Sequence, residues 1–231
     1  SIAEQYQIKA QKIVEPNKSE LFNAAKTYIA ARNIIEQEKA DAIAMDCLGP
    51  ARSGLFPVPC IAWSKLNDEG IAAGCEADLN ATLTQMLIQY LFDKPGFQQD
   101  PVPETVQNTL IGAHCSCPTK LKGFDKSSEP FNIRCHHSKT GVAPQVLWRE
   151  GQEITIAGFT GEDKMLIYSG KVTGNVSIPP AGGCLTSVIA EVYDIPDVVD
   201  VKGFHQIFFY GNHERQLRSY CQMFGIEILM K

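Results

Sequence analysis

Residues 59–87 read PCIAWSKLNDEGIAAGCEADLNATLTQML, and this stretch sets the fold. Ile71–Cys75 is short, apolar and preceded by Gly70, the pattern of a buried strand. Leu79, Leu83, Met86, Leu87 and Tyr90 recur at three- and four-residue intervals, so the spacing predicts a helix after Asp78. Between the two elements stand Glu76 and Asp78. Carboxylates where a strand hands over to a helix fit the crevice that holds sites in open α/β sheets. They fit equally a helix cap at Asp78 and a solvated turn residue at Glu76. The pattern alone leaves both readings open.

Upstream, residues 2–14 are weakly amphipathic and read as a helix. Asn17 and Glu20 have capping-box spacing, and Leu21, Ala24, Ala25, Tyr28, Ile29 and Ala31 trace one face of a helix running to about Lys39. Asp41–Cys47 (DAIAMDC) reads as a buried strand, which gives half of a βαβ unit. Gly49–Pro59 reads as a loop and Ile61–Leu66 as a short helix. Downstream, Phe92–Glu104 (FDKPGFQQDPVPE) reads as a proline- and charge-bearing connector, and Thr109–Ala113 as a strand. Short runs rich in Val, Ile, Thr and Phe follow at Phe131–His136, Val142–Trp148, Glu153–Phe159, Met165–Val172, Leu185–Tyr193 and Phe204–Tyr210. Their spacing argues an antiparallel sheet or closed barrel. A helix over about Asn212–Phe224 and a strand over Ile226–Met230 close the chain. The expected fold is therefore a partial parallel α/β domain over residues 1–110 and an antiparallel β-barrel domain over residues 111–231.

A chain of 231 residues with 44% apolar and 20% charged residues can bury a sizeable core. The net charge of -5 gives no electrostatic reason to expect nucleic acid or an anionic membrane as partner. No apolar run reaches the length of a membrane span. The eight cysteines are spread through apolar surroundings, which favours buried reduced thiols and a cytoplasmic setting. The chain starts at Ser1, as a processed form or a fragment would.

The spacings HExxH, GxGxxG, GxSxG and GxxxxGK[ST] do not occur. Neutral imidazole and carboxylates together suit manganese or magnesium, so Glu76, Asp78, His114 and His205 are candidates for a mixed oxygen and nitrogen site. Each histidine taken alone also fits a structural role. Cys115, Cys117, Cys135 and His136 resemble a sulfur-rich zinc site, but at a spacing that fits no familiar finger. Trp63 and Trp148 could be flat platforms for a sugar ring or plain core residues.

Five stretches, in order, resemble the C-terminal half of the L-fucose isomerase and L-arabinose isomerase superfamily. They are LNDEGIAAGCEADLNATLTQML (66–87), IGAHCSCPTKLKGFD (111–125), VAPQVLW (142–148), PPAGGC (179–184) and KGFHQIFFYGNHERQLRSYCQMFGIEI (202–228). The resemblance covers nearly the whole chain, which would then be the last part of a second α/β domain plus the barrel domain of a longer subunit. It implies interconversion of an open-chain aldose and ketose through an enediol, with a divalent cation, usually manganese, on neighbouring sugar oxygens. It implies carboxylates that both bind the metal and move the proton, and places such a catalytic carboxylate at Asp78 on the fucose-type pattern or at Glu76 on the arabinose-type pattern. A barrel-domain ligand falls at His205 and a further one at His114. Trp63 and Asn80 stand as candidate sugar contacts, and the assembly implied is a trimer or hexamer. The family's first carboxylate, a glutamate shortly after the strand Asp41–Cys47, has no counterpart in Leu48–Arg52 (LGPAR). That gap gives an alternative function, a non-catalytic carbohydrate-binding or regulatory protein on the isomerase scaffold.

Overall fold

The computed structural model describes residues 2–54, 57–138, 141–180 and 182–229. Leu55 and Phe56 of the expected loop, Ala181 of the PPAGGC loop and Met230 of the expected last strand lie outside them. In chain order the elements are α1 (Ile2–Lys9), β1 (Lys12–Ile13), α2 (Lys18–Glu38), β2 (Ala42–Met45), α3 (Leu48–Ser53), α4 (Cys60–Asp68), β3 (Ala72–Cys75) and α5 (Leu79–Phe92). Then come β4 (Phe97–Glu104), β5 (Thr109–His114), β6 (Phe131–Cys135), β7 (Val142–Val146), β8 (Glu153–Phe159), β9 (Lys164–Asn175), β10 (Thr186–Val192), β11 (Gln206–Tyr210), α6 (Glu214–Phe224) and β12 (Glu227–Leu229).

The strands β10-β5-β4-β11-β8-β9 pair in that order, and β9 pairs back onto β10, which closes a six-stranded antiparallel barrel. β12 adds to β9 in parallel. Alternation along each strand sorts side chains to the two faces of the barrel wall. Ile154, Ile156, Leu166, Tyr168, Phe208 and Tyr210 enter one core, while Ala157, Phe159, Met165, Ile167, Ile207 and Phe209 enter another with Ala81 and Ile88 of α5 and Leu217 of α6. Thus α5 and α6 lie against the outside of the barrel. The parallel α/β part is small: β2 and β3 pair in parallel, with Ala42 opposite Ala72 and Met45 opposite Cys75. Ala31 and Ile35 of α2 and Trp63 and Leu66 of α4 pack with Ala73 and Cys75 of β3.

The capping box forms as its spacing predicts: Asn17 Oδ1 accepts from the Glu20 amide and Glu20 Oε2 from the Asn17 amide. The sequence reading differs from the structure in four places. The helix at the N-terminus stops at Lys9, and β1 pairs in parallel with β6. A short helix, α3, stands inside the expected loop, where Asp46 Oδ1 accepts from the amides of Leu48 and Gly49. The hairpin β6–β7 forms its own three-stranded sheet with β1 rather than joining the barrel. The expected connector Phe92–Glu104 holds barrel strand β4, so the barrel begins before residue 110. Pro101 and Pro103 are tolerated in β4 because β11 pairs with it only over Phe97–Gln99, which leaves one edge free beyond.

Candidate metal centre

The acidic pair between β3 and α5 is held by a tight junction. Glu76 and Ala77 both adopt left-handed backbone, at φ 58° and 54°, which L-residues rarely take outside functional or turn positions. The Ala77 amide donates to the Met45 carbonyl of β2, and the Asp78 amide donates to the Cys75 carbonyl. Gly74 lets α5 close onto the strand, since a Cβ there would overlap Thr82 Oγ1. The barrel grips the same junction. Gln98 of β4 accepts from the Cys75 amide at 2.9 Å and donates to the Cys75 carbonyl at 3.2 Å. That paired amide contact brings the end of β3 beside Asp100 of β4, His114 of β5 and His205 just before β11.

Glu76, His114 and His205 each present one ligand atom, and the three atoms lie within 4.8 Å of one another. His114 Nε2 is 3.7 Å from Glu76 Oε1, and His205 Nε2 is 3.6 Å from Glu76 Oε2. A cation about 2.0–2.2 Å from each donor needs such atoms roughly 3–4 Å apart, so the spacing suits a small divalent ion. Asp78 takes a different part. Its Oδ1 caps α5 by accepting from the Ala81 amide at 2.9 Å, and its Oδ2 stands 2.8 Å from His205 Nδ1. A carboxylate there can only accept, so Nδ1 carries the proton and the Nε2 lone pair of a neutral His205 faces Glu76 and Asp100. This is the carboxylate–histidine arrangement that orients metal ligands.

Asp100 completes the cluster and was not expected from the sequence. Its Oδ1 is 3.2 Å from His205 Nε2, yet both atoms are buried without a hydrogen bond. A lone pair facing two carboxylate oxygens is unfavourable unless a proton or cation sits on Nε2. The pKa directions express the same demand. Burial works against a charged His205, but contacts with Asp100 and Asp78 outweigh it and raise its pKa. Burial likewise opposes charge on His114, and Glu76, Cys184 and Asp100 together outweigh it and raise its pKa. The His114 contact holds the Glu76 carboxyl below the usual carboxylate range. Burial tends to raise Asp100, but its contact with His205 and the charges of both histidines bring it below its ordinary value. The residues present thus fit a divalent cation. The histidines are enclosed, whereas the Glu76, Asp78 and Asp100 side chains are 23%, 24% and 32% exposed, so the centre opens to solvent on its carboxylate side.

The other candidates separate from this centre. Trp63 is not a sugar platform: it is 1% exposed, and its indole N–H donates to the Gly74 carbonyl at 2.7 Å, which braces β3. Trp148 is also buried. Asn80 is exposed in the first turn of α5, and the cluster is assembled without it. The zinc pattern of Cys115, Cys117, Cys135 and His136 does not assemble. Cys117 Sγ accepts from the Trp148 indole, the Cys135 amide donates to Glu15, and His136 Nδ1 is taken by Ser138. All eight cysteines are free thiols, six of them buried. No helix among the described residues is long and apolar enough to cross a membrane. No protein-family model matches the chain, and a search of curated proteins returns no match.

Proposed function

We propose that this chain carries the metal centre of an aldose–ketose isomerase acting on an open-chain sugar. The observation that carries the proposal is the meeting of Glu76, His114 and His205 beside two further carboxylates, with the His205 Nε2 and Asp100 Oδ1 atoms buried and unpartnered. In this reading Glu76, His114 and His205 hold the cation, and Asp78 keeps His205 in the tautomer whose Nε2 can bind. A bound divalent ion, manganese for choice, supplies Lewis-acid polarisation of the sugar carbonyl. Asp100 is the proton carrier. Kept ionised and partly exposed, it can take a proton from the carbon next to the carbonyl and return one to the neighbouring carbon of the enediol. It would fill the place of the glutamate that the sequence lacks after β2, where Asp46 is instead committed to capping α3. Cytoplasmic placement and a trimeric or hexameric assembly belong to the same proposal.

The deciding experiment incubates the protein with manganese and a panel of aldoses in deuterated water. Solvent deuterium at the carbon next to the carbonyl, with ketose formation, is expected. Manganese binding with neither exchange nor ketose across the panel favours the non-catalytic carbohydrate-binding reading, and absence of manganese binding overturns both the centre and the reaction.

A further inference from the structure

A second group of donors lies on the other side of the β5 terminus, and its chemistry differs. Cys115 directly follows His114, so successive side chains diverge from one strand end. The antiparallel register sets Thr186 opposite His114, which brings the residues after β5 alongside those before β10, Cys184 among them. The third member comes from the β6–β7 turn. There His136 is occupied within its own turn: its amide donates to the Gly141 carbonyl, and its Nδ1 contacts the Ser138 amide and hydroxyl. His137 is the ring left exposed. Cys115 Sγ, Cys184 Sγ and a ring nitrogen of His137 lie within 4.8 Å of one another. Three chain segments distant in sequence thus deliver two thiols and an imidazole to one point. Cys115 packs with Ala143 of β7, Leu185 and Cys60 beneath that point.

We propose that Cys115, His137 and Cys184 form a second metal site, one that takes zinc. Thiolate and imidazole donors select zinc over manganese or magnesium, which prefer oxygen. Two thiolates balance the charge of the ion, and three protein ligands leave a fourth position for water, as in open tetrahedral sites. The site has a structural use that follows from the topology. The β6–β7 hairpin pairs with β1 and with no barrel strand, so an ion shared by His137, Cys115 and Cys184 ties the hairpin to the ends of barrel strands β5 and β10. This inference does not rest on the proposed isomerisation, because the two donor sets share no residue.

The test titrates cobalt, a spectroscopic substitute for zinc, into the reduced, metal-stripped protein. Thiolate ligation gives a sulfur-to-cobalt charge-transfer absorption that the Glu76, His114 and His205 set cannot give, having no sulfur. The expected result is one equivalent of cobalt with that absorption, displaced by zinc and kept in Glu76→Gln. The absorption falls by at least half in Cys184→Ser, which leaves one thiolate, and cobalt affinity falls at least ~10-fold in His137→Ala. Both variants change residues that are not fully buried, so they test the site even if Cys115→Ser fails to fold. Absence of thiolate absorption in the wild-type protein overturns the proposal. So do unchanged cobalt binding in both variants and a Cys115–Cys184 disulfide that forms in preference to zinc binding when both zinc and air are supplied.

Discussion

Asp78 Oδ2 stands 2.8 Å from His205 Nδ1, a contact that joins the N-cap of α5 to the residue before β11 across 127 positions of sequence. The other oxygen of the same carboxylate caps α5. One side chain therefore does two separable jobs, and Asp78→Asn separates them. Asparagine is as good an N-cap as aspartate, so the melting of the metal-free protein should move by less than ~1 kcal/mol. With its oxygen on the Ala81 amide, asparagine turns its NH2, a donor only, toward His205 Nδ1, which drives the ring proton to Nε2, so manganese affinity should fall at least roughly 10–100-fold. Calorimetric titration reads the second effect and thermal melting the first. Unchanged manganese affinity in Asp78→Asn would reduce Asp78 to a helix cap.

Asp100 and Glu76 make opposite predictions. Asp100→Asn should abolish most proton exchange, by roughly 10²–10⁴-fold, because it removes the group proposed to move the proton. It should leave the manganese-induced rise in melting temperature in place, since Asp100 is outside the set that meets at the ion. Glu76→Gln should remove that rise. The pair of melts, each with and without manganese, distinguishes carrier from ligand, and equal losses in the two variants would contradict the division of roles.

What could be read from the sequence follows from which signals are local. Glu76, Asp78, His114 and His205 stand at element ends that period and turn residues mark, and the structure brings them to one place. Which carboxylate meets both His114 and His205 was open in the sequence, because it depends on the left-handed backbone at Glu76 and Ala77, and neither is a glycine that would announce it. Asp100 escaped because Pro101 and Pro103 argue against a strand, and only the barrel's pairing shows that the edge beside them is free. His137 and Cys184 escaped for the same reason: no spacing relates a hairpin tip to a loop that reaches it only through the fold.

The left-handed pair offers its own check. Ala77 is exposed at φ 54°, so its methyl costs the backbone about 1–2 kcal/mol in that conformation and contributes little packing. Glycine removes the cost but loses more entropy on folding, by roughly 0.5–1 kcal/mol. Ala77→Gly should therefore raise stability to chemical denaturation by up to ~1 kcal/mol and leave manganese affinity unchanged. A clear loss of stability would mean that the backbone at this junction relaxes away from φ 54° in solution.

Asp68 gives the pH dependence. It is buried at the end of α4, and its Oδ1 accepts from the amides of Thr119 and Lys120 at 2.8 and 2.7 Å, while Oδ2 accepts from the Thr119 hydroxyl at 2.6 Å. Burial pushes its carboxyl up to about 6, although those hydrogen bonds pull the other way. The folded protein then binds a proton that the unfolded chain, at an ordinary carboxyl pKa of about 3.9, has already released. Stability from this residue is therefore greatest below pH ~4 and falls as the pH rises to ~6, by about 2–3 kcal/mol in all. An asparagine in its place would keep the carbonyl that both amides need, and its NH2 would face a Thr119 hydroxyl that can still donate to Ser128, 2.9 Å away. Asp68→Asn should accordingly gain on the wild-type protein progressively between pH ~4 and ~6, with the difference constant above. Asp68→Ala strands two backbone N–H groups and should lose stability at every pH, by about 1–3 kcal/mol for each. Urea unfolding across pH ~4–7 measures all three proteins, and parallel curves for wild type and Asp68→Asn would show that Asp68 ionises in the folded state as easily as in the unfolded chain.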